Sequence, residues 1–223
     1  AQKTFLDAMS CIDAILFDFD GTLAPNLDLP DMRRQVVELT QALGVPEAVF
    51  KDCYIVEIID AAKAWLVDQG PKAVADQYYN NAHTLIVNIE MAAAQGSAPF
   101  PRVHAYLDEL KARGVRTGVV TRNCRSAVYT VFPEIDAHID VVCARDDVVH
   151  FKPDPRHLTH CLECLDASAK KCAMVGDGRM DMQVGKSLGM YCIGVLSGNT
   201  SRQALLDAGA DEVHNYCFEF NPG

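Results

Sequence analysis

The chain has no run of about 20 apolar residues, the length a bilayer-spanning helix needs, so its sequence offers no membrane segment. It has no Lys/Arg-rich stretch either. Its 20 basic and 30 acidic side chains give a formal net charge of −10. That balance argues against a nucleic-acid surface, because phosphate backbones are held by basic patches. Repeats and low-complexity segments are missing, and glycine and proline stand at ordinary levels. With 49% apolar residues, this excludes a disordered chain. The first residues, AQKTFLDAMSC, hold no apolar h-region, so a chain without a signal peptide is expected. Nine cysteines, an odd number without framework spacing, read as reduced thiols of a cytoplasmic protein.

What is present is an alternation of strand and helix. The chain's 223 residues suffice for a core domain plus a smaller one. Short apolar runs at 13–19, 115–121, 139–143, 172–176 and 191–196 read as buried parallel strands. Between and after them, helical patterns fall at 101–113, 125–132, 155–165, 180–188 and 202–208. This order predicts an α/β fold, a doubly wound parallel sheet. Residues 27–97 break the pattern. They hold three helical stretches, about 30–43, 46–69 and 71–95, closed by Gly44, Gly70 and Gly96. The expected division is a core of 1–24 and 98–223 with an all-helical insertion at 25–97.

The stretch AILFDFDGTLAPN (14–26) poses a problem. An apolar strand runs into Asp18 and Asp20, two like charges on one side of its end, which resist joint ionisation. They sit near the carboxyl end of a parallel strand, where doubly wound folds bind ligands. A hard cation such as Mg²⁺ is the economical compensation, since it takes one or two carboxylates together with substrate phosphate. Other strand ends carry matching groups. Thr121 closes VRTGVV, Lys152 follows an apolar stretch in HFKPDP, and MVGDGRMD sets Asp177 at a strand end with Asp181 four residues on.

Taken together, DFDGTL at 18–23, the threonine of VVTRN, the lysine of FKPDP and GDGRMD at 176–181 resemble the motif set of the haloacid-dehalogenase-like hydrolase superfamily. The resemblance runs from Ile12 to Val213 and implies a Rossmann-like core with a helical C1-type cap. Its general type is that of the phosphoglycolate phosphatase-like enzymes. It implies Asp18 as nucleophile and Asp20 as acid and base. It further implies Mg²⁺ on Asp18, the Asp20 carbonyl and Asp177, with Asp181 as a supporting group near Lys152 or a metal-bound water. Thr121 and Lys152 would hold the phosphoryl oxygens, with the backbone N–H groups of Phe19 and Arg122. The expected function is a Mg²⁺-dependent phosphatase acting on a small-molecule phosphate monoester. A sugar phosphomutase and a non-catalytic binding module are the alternatives.

Other residues admit plainer readings. Arg122 and Asn123 either touch substrate or, for Asn123, cap the next helix. Arg179 reads as a solvated loop arginine. The CLEC at 161–164, with His157 and His160 nearby, reads as structural cysteine rather than metal or redox chemistry. His83, His104, His138, His150 and His214 show no clustering in the sequence. In the insertion, Tyr54, Trp65, Tyr78 and Tyr79 read as core aromatics, and Arg33, Arg34, Lys51, Lys63 and Lys72 as a solvated face.

Overall fold

A computed structural model describes residues 12–223; the expectations for AQKTFLDAMSC lie outside the described residues. The chain divides into two compact units, residues 27–93 and a larger unit of residues 12–26 with 94–223. No described helix is long and apolar enough to cross a membrane.

The larger unit is built on six parallel strands: β1 (Ala14–Phe17), β2 (Arg116–Val120), β3 (Val141–Cys143), β4 (Cys172–Gly176), β5 (Tyr191–Val195) and β6 (Glu212–His214). Their order is β3-β2-β1-β4-β5-β6. From β1 the chain builds outward through β2 and β3, then returns to the other side of β1 with β4. The sheet therefore has its topological switch between β1 and β4, the place at the carboxyl edge where doubly wound folds form their binding crevice. Phe17 pairs with Val175, so these two strands reach that edge in step.

All four β1 residues are fully buried, as expected of a strand covered on both faces. Ala14 and Leu16 face a cluster with Met174, Met182 and three leucines of the 156–165 segment. On the other face Phe17 meets the ring of Tyr106 edge-on at 6.3 Å. Tyr106 lies on the helix Val103–Ala112 and donates its hydroxyl to the Phe220 carbonyl. The helix Arg156–Cys164 buries Leu158, Cys161 and Leu162, with Leu165 just beyond it, a helical spacing that makes one apolar face. Cys161 thus serves as a small core hydrophobe.

β1, β2, β3 and β5 are shorter than their apolar runs suggest, and β4 matches its run. β3 loses Ile139 and Asp140, because Asp140 turns its carboxylate back to accept the Thr117 N–H at 2.9 Å. β6 lacked a sequence signal: three residues, two of them polar, make an edge strand whose charges suit its exposed side.

The smaller unit holds α1 (Leu29–Gln41), α2 (Ile55–Gln69) and α3 (Lys72–Ala94). Asp28 caps α1 by accepting the Asp31 N–H. Tyr78 is buried and its hydroxyl meets that of Thr40 at 2.7 Å. The continuous helix expected over 46–69 is broken, with only the turn Glu47–Val49 preceding α2. The reason is tertiary. Arg33 of α1 donates to the carbonyls of Cys53 (2.6 Å) and Lys51 (3.1 Å), so those acceptors are satisfied without a helix. Arg33 is thus a structural clamp rather than part of a solvated face.

Gly118 in β2 lies against the Arg156–Cys164 helix, where an added Cβ would stand 2.5 Å from the Cys161 sulfur and 3.0 Å from Leu16. Overpacking of this kind costs about 1–3 kcal/mol. Gly118→Ala should therefore lower the urea midpoint with an unchanged slope, which equilibrium unfolding measures.

Candidate active site

At the carboxyl edge of β1 and β4 three carboxylates converge. One oxygen each of Asp18, Asp177 and Asp181 lie within 4.8 Å of one another. Asp18 follows β1 directly, and its backbone N–H continues the ladder to the Val175 carbonyl at 2.9 Å. Asp177 follows β4, and Asp181 lies in the first turn of the helix Arg179–Ser187. Lys152 comes to them from the loop beyond β3. Its ammonium donates to Asp18 Oδ1 at 3.0 Å and to Asp181 Oδ1 at 2.7 Å. The other Asp181 oxygen accepts the Gly178 N–H at 3.2 Å.

The site is crowded with negative charge. Burial, with the charges of Asp18 and Asp181, pushes the Asp177 carboxyl up to about 9. Burial and Asp18 push Asp181 up to about 6, against the pull of Lys152. Burial alone would lower the Lys152 ammonium, but the two carboxylates it touches outweigh burial and raise it. One ammonium among three carboxylates leaves an excess of negative charge with little access to water. The donors are oxygens only, which suits a hard divalent cation. The residues present therefore fit Mg²⁺.

The other residues singled out in the sequence, Phe19, Asp20, Thr121, Arg122 and Asn123, follow β1 and β2. Asp20 turns its carboxylate toward Asn123, whose Nδ2 donates to it at 3.0 Å. Asn123 Oδ1 accepts the Cys124 N–H at 2.8 Å, and the N-cap of the following helix is Cys124, not Asn123. Thr121 is buried at the end of β2, its Oγ1 accepting the Asn123 N–H at 3.0 Å. The Arg122 side chain reaches the Lys152 carbonyl and lies over the Phe151 ring at 5.2 Å. Phe19 is fully buried, and its carbonyl closes the turn by accepting the Leu23 N–H at 2.9 Å. Arg179 is exposed, as expected, but it is the first residue of the helix Arg179–Ser187 rather than part of a loop.

Sequence reasoning missed several residues. His157 is fully buried. Its Nδ1 accepts the Lys152 N–H at 3.0 Å and its Nε2 meets the Cys143 carbonyl at 2.9 Å. These partners define a neutral ring with its proton on Nε2. Burial, and then the Lys152 charge, lowers its pKa to about 4. Together with Arg122, it fixes both backbone polar groups of Lys152. Thr22 donates to Asp177 Oδ1 at 3.3 Å. Gly21, at φ +77°, and Gly198 both lie so close to Asp177 that neither has room for a side chain. The strand-end SGN at 197–199 was the available signal for Gly198.

Residues 12–189 match the family model described as "Hydrolase: haloacid dehalogenase-like hydrolase". The chain belongs to the haloacid dehalogenase-like hydrolase family. It is 28% identical over 211 residues to a phosphoglycolate phosphatase of Yersinia pestis, covering 91% of this chain and 88% of that one. It is 37% identical over 92 residues to the pyrophosphatase PpaX of Bacillus cereus, 40% of this chain and 43% of that protein. This second match thus spans under half of the relative. In structure it resembles a hydrolase from Pseudomonas syringae, with TM-score 0.68 and 18% identity over 92% of this chain and 94% of that one.

Two outcomes follow for this hydrolase. The Asp177 carboxyl is raised in the fold, so the native state holds a proton the unfolded chain has lost, and stability falls as pH rises toward about 9. His157 acts in the opposite sense, but only between about 4 and its ordinary 6.5. From pH 6.5 to about 8 Asp177 dominates the pair. Melting temperatures in EDTA should fall over that range, and the gain on adding Mg²⁺ should grow if Asp177 is a ligand, because a bound cation would replace its proton. A gain that is flat or missing would contradict the assignment. His157→Leu strands the buried Lys152 N–H, at a cost of about 1–3 kcal/mol, while the Cys143 carbonyl keeps the Thr121 N–H as donor at 3.2 Å. Urea unfolding should show that loss, and His157→Asn should restore part of it.

Proposed function

We propose that this hydrolase is a Mg²⁺-dependent phosphatase of small-molecule phosphate monoesters, working through an aspartyl-phosphate on Asp18. The observation that carries the reading is the Lys152 ammonium seated between Asp18 and Asp181, beside Asp177, at the sheet's switch point. The similarity to a protein named phosphoglycolate phosphatase, over 91% of this chain and 88% of that one, supports it.

In the proposed reaction an Asp18 oxygen attacks phosphorus in line and the bond to the leaving oxygen breaks. Asp20 protonates that oxygen, its carboxyl held in place by the Asn123 amide. Water then attacks the aspartyl-phosphate, gives its proton to Asp20, and frees Asp18 with release of phosphate. Lys152 and the Thr121 hydroxyl hold the phosphoryl oxygens, with the N–H groups of Phe19 and Arg122. Thr121 Oγ1 accepts from Asn123, which leaves its own proton to donate outward. Mg²⁺, held by Asp18, the Asp20 carbonyl and Asp177, supplies positive charge that offsets the repulsion between carboxylate and phosphate. Asp181 orients Lys152. The helical unit 27–93 is proposed to be the family's C1-type cap, where the choice of leaving group resides.

The test is phosphate release from a panel of phosphate monoesters that includes phosphoglycolate, with inorganic pyrophosphate added on the strength of the second relative. It is run with Mg²⁺ and with EDTA. Turnover should require the metal and fall by about 10³-fold or more in Asp18→Asn. An isomerised sugar phosphate in place of free phosphate would make the protein a mutase. An Asp18→Asn variant as active as the wild type would overturn the reading.

A further inference from the structure

Two helices of the larger unit present facing pairs of side chains outside the crevice. The helix Val103–Ala112 carries His104 and Asp108. The short helix Ile135–His138 carries His138, with Glu134 at its N-cap. Residues four apart share a helix face, and here the two faces meet. His104 Nε2 contacts Glu134 Oε1 at 2.7 Å, and His138 Nδ1 contacts Asp108 Oδ1 at 2.6 Å. The two imidazoles are 5.1 Å apart and nearly perpendicular. Buried Phe132 packs against both, at 4.8 and 5.6 Å. The expectation that these histidines do not cluster is thereby corrected: the tight packing of the two helices joins positions that are remote in sequence.

We propose that His104, Glu134 and His138 form a binding site for a borderline divalent cation of the zinc type, with Asp108 orienting His138. One nitrogen of each ring and one Glu134 oxygen already lie within 4.8 Å of one another. Two imidazoles and a carboxylate favour zinc, cobalt or nickel over the magnesium suited to the all-oxygen crevice. Asp108 accepts from Nδ1 of His138, which leaves the lone pair on Nε2. This is the carboxylate–histidine pairing that commonly backs a metal-ligating imidazole. The His104 hydrogen bond holds the Glu134 carboxyl below its ordinary range, so it is charged and ready to ligate.

On binding, the metal replaces the proton between His104 Nε2 and Glu134. A neutral His104 carries that proton on Nδ1 instead, and a protonated one releases it to water. Ligand bonds of about 2.0–2.2 Å set tetrahedral donors about 3.3 Å apart, so the 2.7 Å contact opens by well under an ångström. Water completes the shell, since Glu134 is exposed and His104 only partly covered. The cation would tie one helix to the other on the surface of the unit.

Cobalt(II) titration of the whole protein in saturating Mg²⁺, followed by absorbance, tests this. One equivalent should give visible d–d bands of a nitrogen and oxygen site, without thiolate charge transfer. The bands should vanish in His104→Gln/His138→Gln and in the single variant Glu134→Gln, with circular dichroism confirming the fold of each. Asp108→Asn should bind about 10–100-fold more weakly. A wild type without these bands, thiolate bands alone, or an unchanged titration in the folded variants would overturn the proposal.

Discussion

The mutual repulsion of Asp18, Asp177 and Asp181 is the constraint to which the core of this hydrolase is fitted. Two charges less than 4.8 Å apart repel by about 3 kcal/mol or more at an effective dielectric constant of ~20. No unit of this size would gather three of them by accident of packing, because the cost is a sizeable fraction of a domain's net stability of about 5–15 kcal/mol. The structure meets part of this with the Lys152 ammonium and part by leaving a proton on Asp177. What remains is a standing demand for positive charge at the switch point of the sheet. In the proposed function a metal and the hydrogen-bond donors of the phosphate site would meet that demand together.

The sheet is what makes so unfavourable a grouping possible. β1 is buried on both faces, and its register with β4 delivers Asp18 and Asp177 to the same edge. Glycine does the close work. Gly21, Gly176 and Gly198 approach the carboxylates where a Cβ would collide with them. Each of these positions gives up side-chain packing so that a carboxylate can be held against backbone. Cysteine fills much of the apolar layer below, at Cys143, Cys161, Cys172 and Cys192, its small volume suiting the gap between closely packed strands and helices.

Much of this was legible because strand ends advertise themselves. An apolar run that stops in Asp, Thr or Gly-Asp marks both a strand and the edge it reaches, and topology then brings the ends together. Lys152 was legible only in part, since its loop lies beyond β3 rather than at the strand's last residue. The rest depended on contacts that no local pattern encodes. His157 looked like one residue of a His/Cys-rich helix, yet its two ring nitrogens serve a backbone N–H and a backbone carbonyl. The break before α2 arises from an arginine on another helix. β6 is three residues of mixed polarity, held by its neighbour rather than by its own propensity. The meeting of His104 with His138 is likewise tertiary, although each i,i+4 His/carboxylate pair is plain in the sequence once the helices are known.

His157 also shows how the core controls the crevice without entering it. The helix that carries it is anchored by Leu158, Cys161 and Leu162 in the apolar layer under the sheet. One turn earlier, the imidazole joins the end of β3 to the Lys152 backbone, while Arg122, just past β2, holds the Lys152 carbonyl. Two strands and one helix thus triangulate a single lysine. Fixing its long side chain costs about 2 kcal/mol of rotamer entropy, and the ammonium is held by its two ion pairs to Asp18 and Asp181. A neutral histidine suits the role better than a charged one. An imidazolium would offer a second N–H donor where an acceptor is needed, and would set another positive charge beside the ammonium. The same burial that keeps the ring neutral keeps Lys152 dry, and so keeps its charge strong where Asp18 needs it.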